Sequence, residues 1–81
     1  MKARVYVSLK PTVLDPQGQT VRSALNGLGY KAVSEVRQGK LFEISLNPGV
    51  SEEQARHEID TLAKEVLTNP VIEEYRFELS E

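Results

Sequence analysis

The 81-residue chain contains no cysteine and a single histidine, His57. Without cysteine there is no disulfide framework, no thiol nucleophile and no sulfur-ligated metal. One histidine cannot build a histidine-rich metal site. Cationic excess is also missing. The formal net charge is -2 and the pI is acidic, which argues against binding nucleic acid by phosphate neutralisation. No apolar run reaches membrane-spanning length and no signal peptide is visible, so the chain reads as cytoplasmic. With 40% hydrophobic and 27% charged residues, the composition is that of one globular domain over residues 1–81. A chain this short buries only roughly 60% of its unfolded surface, so self-association would add stability.

What is present is strongly patterned. In KARVYVSL, Ala3, Val5, Val7 and Leu9 alternate with Lys2, Arg4, Tyr6 and Ser8, the signature of a half-buried strand. The elbow LKPTVLDPQGQT follows. Asp15 suits a helix N-cap and Pro16 the first helical position, where a missing N–H costs nothing. Val21, Ala24, Leu25 and Leu28 then share one helical face, and Gly29 suits the left-handed residue after the helix. KAVSEVRQGKLFEISL reads as two strands joined at Gln38, Gly39 and Lys40, with Gly39 as the positive-φ residue of a hairpin. Asn47, Pro48 and Gly49 form a turn, and Ser51 with Gln54 a capping box. The stripe Ala55, Ile59, Leu62, Ala63, Val66, Leu67 marks a second helix, closed by Asn69 and Pro70. VIEEYRFEL alternates again, with Glu73 on the helix side beside Val71 and Tyr75.

The order strand–helix–strand–strand–helix–strand predicts an α+β, ferredoxin-like two-layer sandwich, βαββαβ, with a four-stranded antiparallel sheet and two helices on one face.

Candidate catalytic motifs fail on context. GLGYKA (27–32) matches a dinucleotide pattern on paper, yet it ends a helix instead of joining a strand to one. HEID (57–60) opens like a zinc-protease motif, but Thr61 stands where the second histidine belongs. Glu52 and Glu53 occupy a helix first turn, where the dipole favours negative charge. No phosphate loop and no Ser-His-Asp arrangement exists, and the third strand lacks the aromatic platform an RNA-binding sheet needs.

The runs VYVSLKPTVLDPQGQTV, LNGLGY, VRQGKLFEI and LTNPVIEEYRFE, in this order and spacing, resemble PurS, the small subunit of bacterial and archaeal phosphoribosylformylglycinamidine synthase. LKPxVLDPxG, VRxGK and NPVIExY together are specific, and the likeness spans nearly the whole chain. Thr12 departs from a position where the family more often has a small residue. The resemblance implies a non-catalytic subunit of an ATP-dependent carbon–nitrogen ligase in de novo purine biosynthesis. In that complex a glutaminase subunit releases ammonia and a large synthetase subunit uses ATP and magnesium. The small subunit binds no cofactor itself, forms dimers or larger homo-oligomers, and helps the other two engage and retain ammonia.

Under this reading the stiff corners are partner contacts: Lys10, Pro11, Asp15 and Gly18 in the elbow, Arg37 and Lys40 at the tip, and Asn69, Glu73 and Tyr75 at the last corner. A preformed loop loses less entropy on binding. For Asp15, Pro16, Gly39 and Pro70, turn and capping roles explain the residue as well. Lys10, Arg37 and Lys40 favour contact, because local backbone geometry does not require their charges. The alternative is a homodimeric ferredoxin-like regulatory domain that binds a small molecule.

Overall fold

The computed structural model describes residues 1–81. Strand β1 (Lys2–Leu9) leads into helix α1 (Pro16–Gly27). Strand β2 (Gly39–Ser45) follows, then helix α2 (Glu52–Leu62), which continues as a π-helical turn over Ala63–Leu67, and finally strand β3 (Glu73–Ser80). The sheet is antiparallel in the order β2-β1-β3. Val5 at its centre stands opposite Phe42 on one side and Phe77 on the other. Alternation sends Ala3, Val5 and Val7 inward, where they are fully buried with Ile59 and Ala63 of α2 and its π-turn. Phe42, Ile44, Tyr75, Phe77 and Leu79 pack around them half-buried.

The expected fourth strand does not form, so the ferredoxin-like βαββαβ sandwich is replaced by a three-stranded sheet. Residues 31–38 carry their apolar groups at Ala32, Val33 and Val36, a spacing that gives no single sheet face. Side chains of α1 take up their backbone instead. Asn26 Nδ2 donates to the carbonyls of Tyr30 (2.8 Å) and Val33 (3.3 Å), and Arg22 Nη1 donates to that of Ser34 (3.3 Å). The hairpin at Gly39 is absent for a matching reason. Positive φ occurs only at Gly29 and Gly49, and Gly39 is the first residue of β2, with no strand before it to form the other arm of a hairpin. Glycine is required there by close approach: a Cβ would lie 2.7 Å from the Val7 carbonyl oxygen.

The helix layer differs too. The start and end of α1 are as expected: Asp15 caps it, Pro16 opens it, and Gly29 follows it at φ 103°. Its apolar face, however, does not lie on the sheet. Gly18 is its only buried residue, and Leu28 just beyond it is 76% exposed. The molecule is elongated, 50 × 27 × 14 Å, with a radius of gyration of 16.2 Å, against roughly 12 Å for a compact chain of this length.

Helix α2 begins with half of the expected capping box: the Gln54 amide donates to Ser51 Oγ at 3.1 Å, while the Gln54 side chain makes no return bond to Ser51. Ala55, Ile59 and Ala63 fall inward. The π-turn then inserts one residue into the repeat. Val66, on the expected stripe, is turned out to 76% exposure, and Thr68 is buried in its stead. The Thr68 hydroxyl finds no hydrogen-bond partner.

Candidate partner-contact surface

The elbow, the tip and the last corner meet at one end of the sheet. The elbow is itself a turn, the Val13 amide donating to the Lys10 carbonyl at 2.9 Å. Beyond it Asp15, only 4% exposed, holds two chain segments at once. One carboxylate oxygen accepts from the Gly18 amide at 3.0 Å, as an N-cap should. The other accepts from the Gln38 amide at 2.8 Å. These two amides, the Gln38 amide foremost, hold the Asp15 carboxyl below its ordinary pKa; the nearby Arg37 charge pulls the same way, and burial opposes it. Gly18 is needed for this closeness. A Cβ there would collide with the Val36 carbonyl oxygen and press on the Asp15 carboxylate.

Arg37 closes the knot from above. Its Nη2 donates to the carbonyls of Lys10 (2.9 Å) and Leu9 (3.5 Å). The Lys10 amide in turn donates to the Ile72 carbonyl at 2.9 Å, which ties the elbow to the last corner. There Asn69 and Glu73 bind reciprocally: the Asn69 amide donates to Glu73 Oε1 at 2.8 Å and the Glu73 amide to the Asn69 carbonyl at 2.7 Å. Asn69 Oδ1 accepts from the Val71 amide at 3.1 Å, an Asx-type turn. The second Glu73 oxygen lies 3.5 Å from Lys40 Nζ.

Seven of the nine residues singled out in the sequence therefore belong to one connected network: Lys10, Asp15, Gly18, Arg37, Lys40, Asn69 and Glu73. Pro11 is exposed at its rim. Tyr75 stands apart, its hydroxyl donating to Asp60 Oδ1 on α2 at 2.7 Å. That bond, with burial and the Asp60 charge, pushes the phenol above its ordinary pKa. Of the three charges read as partner contacts because local backbone geometry did not require them, two are engaged within the chain, Arg37 on carbonyls and Lys40 on Glu73, whereas the Lys10 ammonium has no partner within the chain. Sequence reasoning missed Gln38, which contributes only its backbone, and Arg22, which grips residue 34. The one available signal for Arg22 was its place one turn after Gly18, on the same helical face.

Beside the knot, a cleft of about 290 Å³ is lined by Leu14, Gln19, Arg22, Glu35 and Arg37 among others, and a second of about 160 Å³ lies between Gln17, Gln38, Lys40 and Glu73. Hydrogen bonds and stiff turns fix the surface around them, and it offers main-chain and ionic groups in set positions. That is what a docking surface needs.

The family model for PurS, described as phosphoribosylformylglycinamidine (FGAM) synthase, matches residues 2–81. The chain belongs to the PurS family. Among characterised relatives, the PurS subunit of phosphoribosylformylglycinamidine synthase from Synechocystis is 47% identical, over 95% of this chain and 76% of that one. The subunit of the same name from Bacillus subtilis is 44% identical over 99% and 93% of the two chains. The crystal structure of Methanocaldococcus jannaschii PurS superposes with a TM-score of 0.87 at 38% identity, covering 99% of this chain and 95% of that chain. A chain in the structure of PurLQS from Thermotoga maritima superposes at 0.76 with 26% identity, over 95% and 93%. The superposition on the Methanocaldococcus jannaschii chain takes in nearly the whole of this one.

Proposed function

We propose that this PurS chain is the assembly subunit of phosphoribosylformylglycinamidine synthase, an enzyme of purine biosynthesis, and that it supplies no reacting group of its own. It holds the glutaminase and the ATP-dependent synthetase subunits in the arrangement that lets ammonia pass between them. ATP and magnesium act in the synthetase subunit, and the small subunit works in the cytoplasm as a homo-oligomer. The likeness to a chain of the PurLQS assembly supports the partners in this reading. The observation that carries it is the corner network, in which a buried carboxylate and an arginine lock three separated segments into one rigid end. Such rigidity exceeds what a turn between strand and helix requires.

Reconstitution tests the reading. Glutamine-dependent and ammonia-dependent ATP turnover of the two larger subunits are assayed with and without this chain. Glutamine-dependent turnover is expected only in its presence, with ammonia supporting turnover in its absence. If neither rate changes and the chain does not co-purify with the larger subunits, the reading is wrong. Lys10→Ala, which removes an ammonium with no partner in the chain, is expected to weaken glutamine-dependent turnover while leaving the fold intact.

A further inference from the structure

The π-turn at the end of α2 is unfavourable in two ways at once. It turns Val66 out to 76% exposure and buries the Thr68 hydroxyl without a hydrogen-bond partner. An apolar side chain in water and a buried polar atom without a bond both oppose folding. Such π-turns inside helices are frequent at functional sites, and here the insertion creates a surface. Val66 stands beside Leu62 in a shallow groove of about 450 Å³ on the exposed side of α2, whose other walls are His57, Glu58, Thr61 and Glu65. The surroundings are anionic. Residues 51–67 carry five carboxylates and two cations. One of those cations, Arg56, is already paired with Glu52 at 3.0 Å, and neither Glu58 nor Glu65 has a cation of this chain within ion-pair distance.

We propose that this groove docks a cationic segment of one of the larger subunits. The segment seats an apolar side chain on Val66 and Leu62 and sets lysine or arginine against Glu58 and Glu65. The apolar contact supplies affinity, and the ion pairs fix register and speed the encounter. A second copy of this chain is poorly supplied for the role. The arm formed by α1 and the segments on either side of it, residues 10–40, holds five cations, and four of them are engaged within the chain: Arg22, Lys31 and Arg37 on main-chain carbonyls and Lys40 on Glu73. The groove also shares no residue with the corner network, so the chain carries two separate surfaces, as a subunit that holds two others requires. The inference rests on the proposed function and adds to it a second contact surface and the chemistry of its partner.

Calorimetric titration of the full chain into the two larger subunits, at low and high salt, tests it. Val66→Gln removes the apolar group at an exposed position, and the double variant Glu58→Lys with Glu65→Lys reverses the rim. Each is expected to weaken binding about tenfold, with the circular dichroism spectrum and the native mass of the isolated chain unchanged. Wild-type binding is expected to weaken with added salt, and the double variant to show a shallower dependence. If either variant binds as tightly as wild type, the docking site is overturned while the proposed function stands. A wild-type chain that binds neither larger subunit overturns both. Because the chain has no cysteine, Val66→Cys can carry a single photo-crosslinker in the reconstituted complex. The cross-link is expected to join the chain to a larger subunit at a segment containing lysine or arginine. A cross-link formed only to a second copy of this chain overturns the proposal.

Discussion

Asp15 and Gln38 are 23 positions apart in the chain, yet the Gln38 amide donates to the Asp15 carboxylate at 2.8 Å. The same carboxylate caps α1. One side chain therefore sets both where the arm begins and where β2 starts. Asp15→Ala is expected to lower the melting temperature by several degrees, and Asp15→Asn, which cannot accept from both amides as an anion, to lower it by less. The pH dependence follows from the depressed folded pKa. The Asp15 contribution is fully present above its ordinary value of 3.8 and is lost as pH falls from there through the folded value. Thermal melts of wild type and Asp15→Ala should therefore converge as pH drops below about 4.

Gly18→Ala tests the close approach of α1 to residue 36. In an open helix this change would be favourable by roughly 1 kcal/mol. Here the added methyl meets the Val36 carbonyl and the Asp15 carboxylate, and a net loss of about 1–3 kcal/mol is expected. Urea denaturation with an unchanged slope would measure it. A stabilised variant would contradict the account of the knot.

Thr68→Val should stabilise the protein. The π-turn buries the Thr68 hydroxyl without a partner, and valine fills the same volume without a polar atom. A gain of about 1 kcal/mol is expected, read as a rise of roughly 4–8 °C in melting temperature for a domain of this size.

The phenols of Tyr6 and Tyr75 should ionise late. Tyr6 donates to Glu78 Oε1 at 2.6 Å beneath the Arg76 guanidinium, which lies 4.0 Å from its ring centre. Tyr75 donates to Asp60. Each bond to a carboxylate raises the phenol above 10.0. Their stabilising effect is thus present below pH 10 and lost as pH rises through the folded values. In a phenolate absorbance titration, Tyr6→Phe and Tyr75→Phe should each remove one late-ionising step.

Local rules made β1, both helix starts and β3 legible in the sequence, because an alternating strand or an N-cap is specified by residues within a turn of it. Even the inward placement of Glu73 follows from parity along β3, and the structure turns it to Lys40 and the Asn69 amide. Segment 31–38 was illegible because the groups that hold it lie elsewhere: Asn26 and Arg22 on α1 and the Asp15 carboxylate compete for its backbone. The π-turn was illegible for another reason. Val66 and Thr68 both fit an inward position within one residue of helical drift, and only packing against the sheet decides between them. As for the corner network, the sequence marked its members as separate stiff turns. Their convergence depends on the antiparallel pairing that brings Lys40 and Glu73 to the same end of β1.

The outlying α1 has a kinetic consequence. A 12-residue helix that buries only Gly18 is near the length at which helices melt in water, so the amides of its far end should exchange hydrogen long before those of β1. In isolation the chain therefore offers proteases this segment first, and limited proteolysis should cut there while the sheet is still folded.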